Sequence, residues 1–406
     1  MAEKTFLKWI WSRIRQTVDD ALAFVARESI RLRTKVEKDK VIFMHYNDKY
    51  ECNPAYICDE IVREKLPWDV VYALDKKSMA KFPLPCPEGV RVVRRNSLEF
   101  FYELAGARII VDNAMCIPKG YFPKKQQVHI NTWHGSMGLK RIDADKMTSR
   151  KWVQAGKKAG KVTDYMISNS EFETEVYRST YWKNPKVQIL EYGHPRNDIL
   201  FCEEEKKQEI HRKVCDFFQV EESCRFLLYA PTFRDEKNLM CYDIDYGGVL
   251  AAAAERFGGE WKIINRYHFK VASALAGMKQ IKNHPDILAG NRYPDIQELM
   301  VAADIGITDY SSWICDYVLT GKPAFIYAND LSSYDGERGF YYPLESTPFA
   351  IAETNAQLLC NIRSFDEKTY AAKREQFLAD RGCKEQGDAA KKVVALMKTI
   401  IETQNK

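Results

Sequence analysis

At 406 residues and 47.1 kDa, the chain is too long for one hydrophobic core and suits two domains of ordinary size. Hydrophobic and charged contents of 46% and 29% are those of a globular, soluble chain, and a net charge of +5 is too mild for a dedicated nucleic-acid binder. Its 11 cysteines are scattered without a Cys-x-x-Cys pair or metal-ligand spacing, which fits reduced core residues of a cytosolic protein.

The first 35 residues predict an amphipathic helix. Leu7, Ile10, Ile14, Val18, Leu22 and Val25 recur at helical spacing, beside Trp9 and Trp11. Lys4, Lys8, Arg13, Arg15, Arg27, Arg31 and Arg33 line much of the remainder. Such a helix suits either an anionic membrane surface or packing on the first domain, and Asp19, Asp20 and Glu28 weigh against the lipid. Lys8, Arg13 and Arg15 interrupt the apolar stretch, which argues against a signal peptide. No window of about 18 uncharged apolar residues offers a membrane span.

Strand and helix patterns then alternate. Residues 41–45, 70–74, 90–93, 109–112, 166–168 and 187–190 read as strands, with helices at 54–64 and 98–106. After a charged run at 203–209 the alternation restarts with strands at 226–229, 262–265, 305–307 and 324–327. This order predicts an α/β chain with parallel, covered sheets: two Rossmann-like halves, 36–204 and 205–406, facing a central cleft. In such sheets ligands bind beyond the carboxyl ends of the strands.

The run Thr308-Asp309-Tyr310-Ser311-Ser312 stands at one of those ends, just before a helical pattern. Free backbone N–H groups there favour a phosphate, and the hydroxyls of Thr308, Ser311 and Ser312 add donors without bulk. The same residue types also make an ordinary helix cap.

Four stretches carry more specific information: INTWHGSMGLKRI at 130–142, GHPRNDILF at 193–201, LYAPTFRD at 228–235, and TDYSSWICDYVLTGKPAFIYANDLSSYDGERGFYYPL at 308–344. Together they closely resemble the CDP-glycerol glycerophosphotransferase family, the teichoic-acid primases and polymerases, over roughly residues 40–380. The resemblance implies a GT-B fold, with nucleotide held mainly by the C-terminal domain and acceptor by the N-terminal one. The implied reaction moves glycerol phosphate from CDP-glycerol to a hydroxyl of a lipid-linked saccharide or growing polymer and releases CMP. The implied setting is the inner face of the cell membrane, in cell-wall or capsule synthesis. CDP-ribitol as donor, a nucleotide sugar on the same fold, and a non-enzymatic membrane-associated relative are the alternatives.

Phosphoryl transfer needs a positioned hydroxyl, a proton acceptor and donors for the phosphate oxygens. His134, in Trp133-His134-Gly135-Ser136, matches the family's catalytic base, although read alone it is a core histidine at a strand end. His268 matches the second family histidine, chosen over His284, with Phe269 where the family has proline. Its implied role is to hydrogen-bond the diphosphate and stabilise departing CMP. Thr232 and Arg234 follow the strand at 226–229; a guanidinium suits a diphosphate, or else pairs with Asp235. Arg338 is a candidate for holding the transferred glycerol phosphate, and Asp316 for orienting the phosphate helix or contacting the donor. Gly135, Ser136 and Lys140 are expected on the acceptor side, with Lys140 and Arg141 alternatively plain solvated charges. Arg196, Asn197 and Asp198 are expected to organise the interdomain turn, and His45, His129, His194 and His211 to be structural or surface residues. Neither a cofactor nor a required metal is expected, and a homo-oligomer is left open.

Overall fold

The computed structural model describes residues 22–81, 85–138, 140–142, 150–232, 242–267, 284–331 and 339–403. The alternating runs resolve into two sheets. The first contains β1 (Lys40–Met44), β2 (Asp69–Leu74), β3 (Arg91–Arg94), β4 (Ile109–Asp112), β5 (Val128–Asn131), β6 (Tyr165–Ser168) and β7 (Gln188–Glu191), in the order β3-β2-β1-β4-β5-β6-β7. The second contains β8 (Arg225–Tyr229), β9 (Trp261–Asn265), β10 (Ile287–Ala289), β11 (Ile305–Thr308), β12 (Ala324–Tyr327) and β13 (Ala350–Ala352), in the order β10-β9-β8-β11-β12-β13. Every recorded strand pair is parallel, as the alternating sequence predicts.

Each opening strand lies inside its sheet. Phe43 of β1 pairs with Tyr72 and Val111, and Tyr229 of β8 pairs with Asn265 and Ile307. Strand order therefore reverses between β1 and β4 and between β8 and β11, which opens a crevice at their carboxyl ends. Successive β1 side chains enter different cores: Val41 and Phe43 one, Ile42 and Met44 the other. Burial on both faces explains why these strands read as unbroken apolar runs.

Three strands escape the sequence pattern. β5 alternates apolar residues with buried His129 and Asn131, and both side chains lie close to Asp112 Oδ1, at 3.2 and 2.6 Å. β10 and β13 have only three residues each, too few to show a period.

The chain's end departs from the expected division at residue 204/205. The helix Ala389–Glu402 buries Val393, Val394 and Met397 completely, in the core of the first sheet. Each such side chain contributes about 1.5–3 kcal/mol, so the last helix belongs energetically to the first half. Near the start, residues 22–33 are helical. Ile30 is buried in the first-half core and the Arg27 guanidinium lies 4.7 Å from the Phe101 ring centre, but Leu22 and Val25 are each 64% exposed. Leu7, Trp9, Ile10, Trp11, Ile14 and Val18 lie outside the described residues, as do Arg234, His268 and Arg338.

Candidate active site

The turn after β5 is built to present one histidine. Trp133 adopts a left-handed φ of 49°, unusual for so bulky a residue and of order 1–3 kcal/mol unfavourable. Asn131 Oδ1 accepts its N–H at 2.9 Å, and Asn53 donates to its carbonyl at 3.2 Å. Next, His134 Nδ1 lies 2.8 Å from the Asn113 carbonyl at the end of β4. A carbonyl only accepts, so Nδ1 carries the hydrogen and Nε2 keeps its lone pair. Tyr46 stacks on the imidazole at 4.7 Å, and Trp133 lies against it at 4.5 Å. Burial pushes the pKa of His134 down to about 4, against the pull of the Asn113 hydrogen bond, so at neutral pH the ring is uncharged and its Nε2 lone pair is unoccupied by a proton.

Across the crevice, the five residues after Ile307 divide their labour. Thr308 is fully buried and donates to the Ala230 carbonyl at 2.8 Å, which corrects the expectation that it contacts the donor. Asp309 accepts the Thr232 N–H at 2.8 Å, and buried Tyr310 donates to Asp330 at 2.9 Å. Ser311 and Ser312 remain on the cleft wall. Gly306 is required behind them, because a Cβ there would lie 2.8 Å from Tyr317. The helix that follows, Trp313–Tyr317, is only five residues long, and Ser312 makes no side-chain cap bond to it. The expected helix dipole is accordingly small, and the hydroxyls and turn N–H groups carry the anion-binding argument.

One cavity of 590 Å³ joins the two halves, lined by His45, Tyr46, Glu51, His134, Lys140, Arg196, Thr232, Arg266, Ser311, Ser312 and Asp316 among others. Lys140 donates to the Thr232 hydroxyl at 3.4 Å, across the halves, and also bridges to Phe340. A smaller cavity of 230 Å³ shares His134, Lys140 and Ser312 with it and contains Gly135 and Ser136. The Ser136 hydroxyl accepts from Asn169 at 2.9 Å and is buried.

Arg196 has more to do than shape a turn. Its guanidinium is buried and reaches the Gly135 carbonyl at 2.6 Å, Asp316 Oδ2 at 3.0 Å and Cys52 Sγ at 3.4 Å. Asn197 donates to the other Asp316 oxygen at 2.9 Å and to Glu385 at 2.8 Å. Burial, the largest influence, would lower the Arg196 pKa, but Asp316 and Cys52 together outweigh it and hold the charge. Both Asp316 oxygens are thus engaged by residues of the first half, which locks the helix after Ser312 to the loop of His134.

Arg266 is the cation that sequence reasoning overlooked. It donates to the carbonyls of Gly290 and Tyr293 at 2.8 and 2.6 Å, and burial lowers its pKa against the pull of Glu51 and Asp295. Carbonyls orient a guanidinium without neutralising it, so Arg266 is suited to an anion in the cleft. Its position two residues before His268 was the available signal. His45 also departs from expectation: it is buried yet lines the cleft, 3.8 Å from Glu51, and burial pushes its pKa to about 3. His284 instead lines a separate cavity with Asp243 and Tyr246. His129 and His194 are fully buried beside Asp112 and Glu173, and His211 sits against the Glu222 carbonyl.

Two parallel α/β halves with a cleft at their carboxyl edges define a two-domain fold of the GT-B type. More narrowly, the chain belongs to the CDP-Glycerol:Poly(glycerophosphate) glycerophosphotransferase family, whose profile matches residues 26–399. It is 28% identical to a teichoic acid poly(glycerol phosphate) polymerase of Bacillus spizizenii, over 87% of this chain and 90% of that one. It is 30% identical to the protein of the same name from Staphylococcus epidermidis over 86% of its own length, and spans only 48% of that relative. In structure it is similar to a histidine-to-asparagine variant of the wall teichoic acid polymerase TagF soaked with CDPG. That match has a TM-score of 0.82 and 26% identity, and covers 97% of this chain and 98% of the other.

Proposed function

We propose that the protein transfers glycerol phosphate from CDP-glycerol to a hydroxyl of a lipid-linked saccharide or polyol-phosphate acceptor, releasing CMP, in synthesis of a teichoic-acid-like or capsular polymer. The observation that carries this reading is the facing of His134, with only Nε2 open to a proton, and the Ser311–Ser312 turn across one cavity. The donor diphosphate lies against Ser311, Ser312 and Arg266, with His268 completing the set as the family resemblance implies. The acceptor oxygen bonds to the phosphorus that bears glycerol, and its proton passes to His134 Nε2. The bridging P–O bond breaks, and its electron pair leaves on the phosphate of CMP. The incoming diphosphate also raises the basicity of His134, because an anion nearby stabilises the imidazolium.

Incubation with CDP-glycerol, CDP-ribitol and nucleotide sugars, each with a panel of lipid-linked saccharides, tests this reading. CMP release and a mass gain of glycerol phosphate are expected with CDP-glycerol. Turnover of a nucleotide sugar in its place overturns it.

Docking on the inner membrane face is the second part of the proposal. It is supported by Leu22 and Val25, which continue the apolar stripe and stand exposed to solvent. A truncation beginning at Ala26 keeps buried Ile30, so it is expected to fold and bind CDP-glycerol but to sediment less with anionic vesicles. Equal sedimentation removes the helix from membrane binding.

A further inference from the structure

The smaller cavity differs in kind from the main cleft. Trp133, Phe172, Val176 and Tyr341 form its sides, and Trp152, 37% exposed, stands on its wall. The rings are braced: Phe172 meets Tyr341 edge to face at 5.8 Å, and the Arg141 guanidinium lies 5.4 Å from the Tyr341 ring centre. Its carboxylate, Glu173, is already engaged by His194 Nε2 at 3.0 Å and by the Asn169 N–H at 2.9 Å. The cavity meets the main cleft at His134, Lys140 and Ser312, two of which are assigned above to proton transfer and donor binding.

Aromatic walls of this kind select for shape. A pyranose ring offers flat C–H faces to aromatic rings and hydroxyls at its edge, whereas a glycerol phosphate unit is a flexible anion with no such face. At 230 Å³ the space is smaller than the roughly 300–1,000 Å³ of drug-sized sites, a size for one ring. Resting on the glycerol-phosphate transfer proposed above, we infer that this cavity is the acceptor subsite and takes a single sugar ring, one hydroxyl turned toward His134 Nε2. After one transfer the new terminus is glycerol phosphate, which lacks the ring. The protein therefore adds one unit to a sugar terminus and extends its product poorly.

Two soluble probes of matched alkyl chain test this: an octyl N-acetylhexosaminide and an octyl-linked glycerol phosphate dimer, each supplied with CDP-glycerol. The sugar probe is expected to be the better acceptor by kcat/KM and to gain one unit by mass spectrometry. Trp152→Ala and Phe172→Ala are expected to raise KM for the sugar probe about tenfold and leave KM for CDP-glycerol unchanged. Partly exposed Trp152 gives a variant that keeps the fold, checked by circular dichroism. Failure of the wild type to bind CDP-glycerol in calorimetry overturns the donor reading and this inference with it. Intact donor binding with the dimer preferred, with long products, or with sugar KM unmoved in both variants overturns the sugar subsite alone.

Discussion

On the first-half wall of the cleft, a single imidazole nitrogen is offered by a turn whose neighbours are all fixed: Asn113 holds Nδ1, Asn131 and Asn53 hold Trp133, and Arg196 holds Gly135. On the second-half wall the groups are small and several: two serines, a turn, and Arg266 braced by carbonyls. On the proposed mechanism the difference follows from the task of each wall. A proton moves between two atoms and needs one lone pair held in place, whereas a diphosphate spreads its charge over many oxygens and is met by many donors. Loss of one group should therefore be severe on the first wall and graded on the second.

His134→Ala gives the largest expected effect on rate. It should lower kcat by roughly 10²–10⁴ while leaving CDP-glycerol affinity nearly unchanged. In the wild type, kcat/KM should fall on the acid side with an apparent pKa near 4, because below it the imidazole is protonated and cannot accept. The acid limb of kcat should lie at higher pH, since bound diphosphate stabilises the imidazolium. A His134→Ala enzyme that loses donor binding yet turns over normally when saturated would place His134 on the donor side and erase the contrast between the walls.

The link between the walls is the next target. Arg196→Met leaves the Asp316 carboxylate buried without its ion-pair partner, which should cost about 3–5 kcal/mol of stability in urea unfolding. Adding Asp316→Asn should restore much of that loss. A cost below about 1 kcal/mol would mean that the pair is not what joins the two loops.

The smallest effect belongs to the graded wall. Ser312→Ala should raise KM for CDP-glycerol, at about 1.5–3 kcal/mol for one charge-assisted hydrogen bond, with kcat less affected. Unchanged donor KM, or a bound diphosphate seen against the first half, removes Ser312 from the phosphate site.

Local pattern alone marked ten of the thirteen described strands, most clearly the inner ones such as β1, whose residues 41–44 are buried on both faces of a parallel sheet and are apolar. It did not mark β5, the strand that delivers His134, because buried His129 and Asn131 look like surface residues until Asp112 is placed beside them. Family motifs singled out His134, Ser311 and Ser312, and the structure brings these three to one cavity. Thr308 could not be separated from the serines by sequence, since only the approach of Ala230 shows which hydroxyl is consumed by the fold.

Apolar period and turn chemistry thus determined most of the strands, their parallel sense and the ends at which ligands gather, since each strand's pattern and the helical crossover that follows it are legible locally. Tertiary structure decided the rest. It paired Arg196 with Asp316, 120 residues away, returned the helix Ala389–Glu402 to the first sheet, and set Arg266 in its ring of carbonyls. Burial is a property of the whole fold, so whether a charge or hydroxyl is satisfied or left open to a substrate is settled only when distant segments meet.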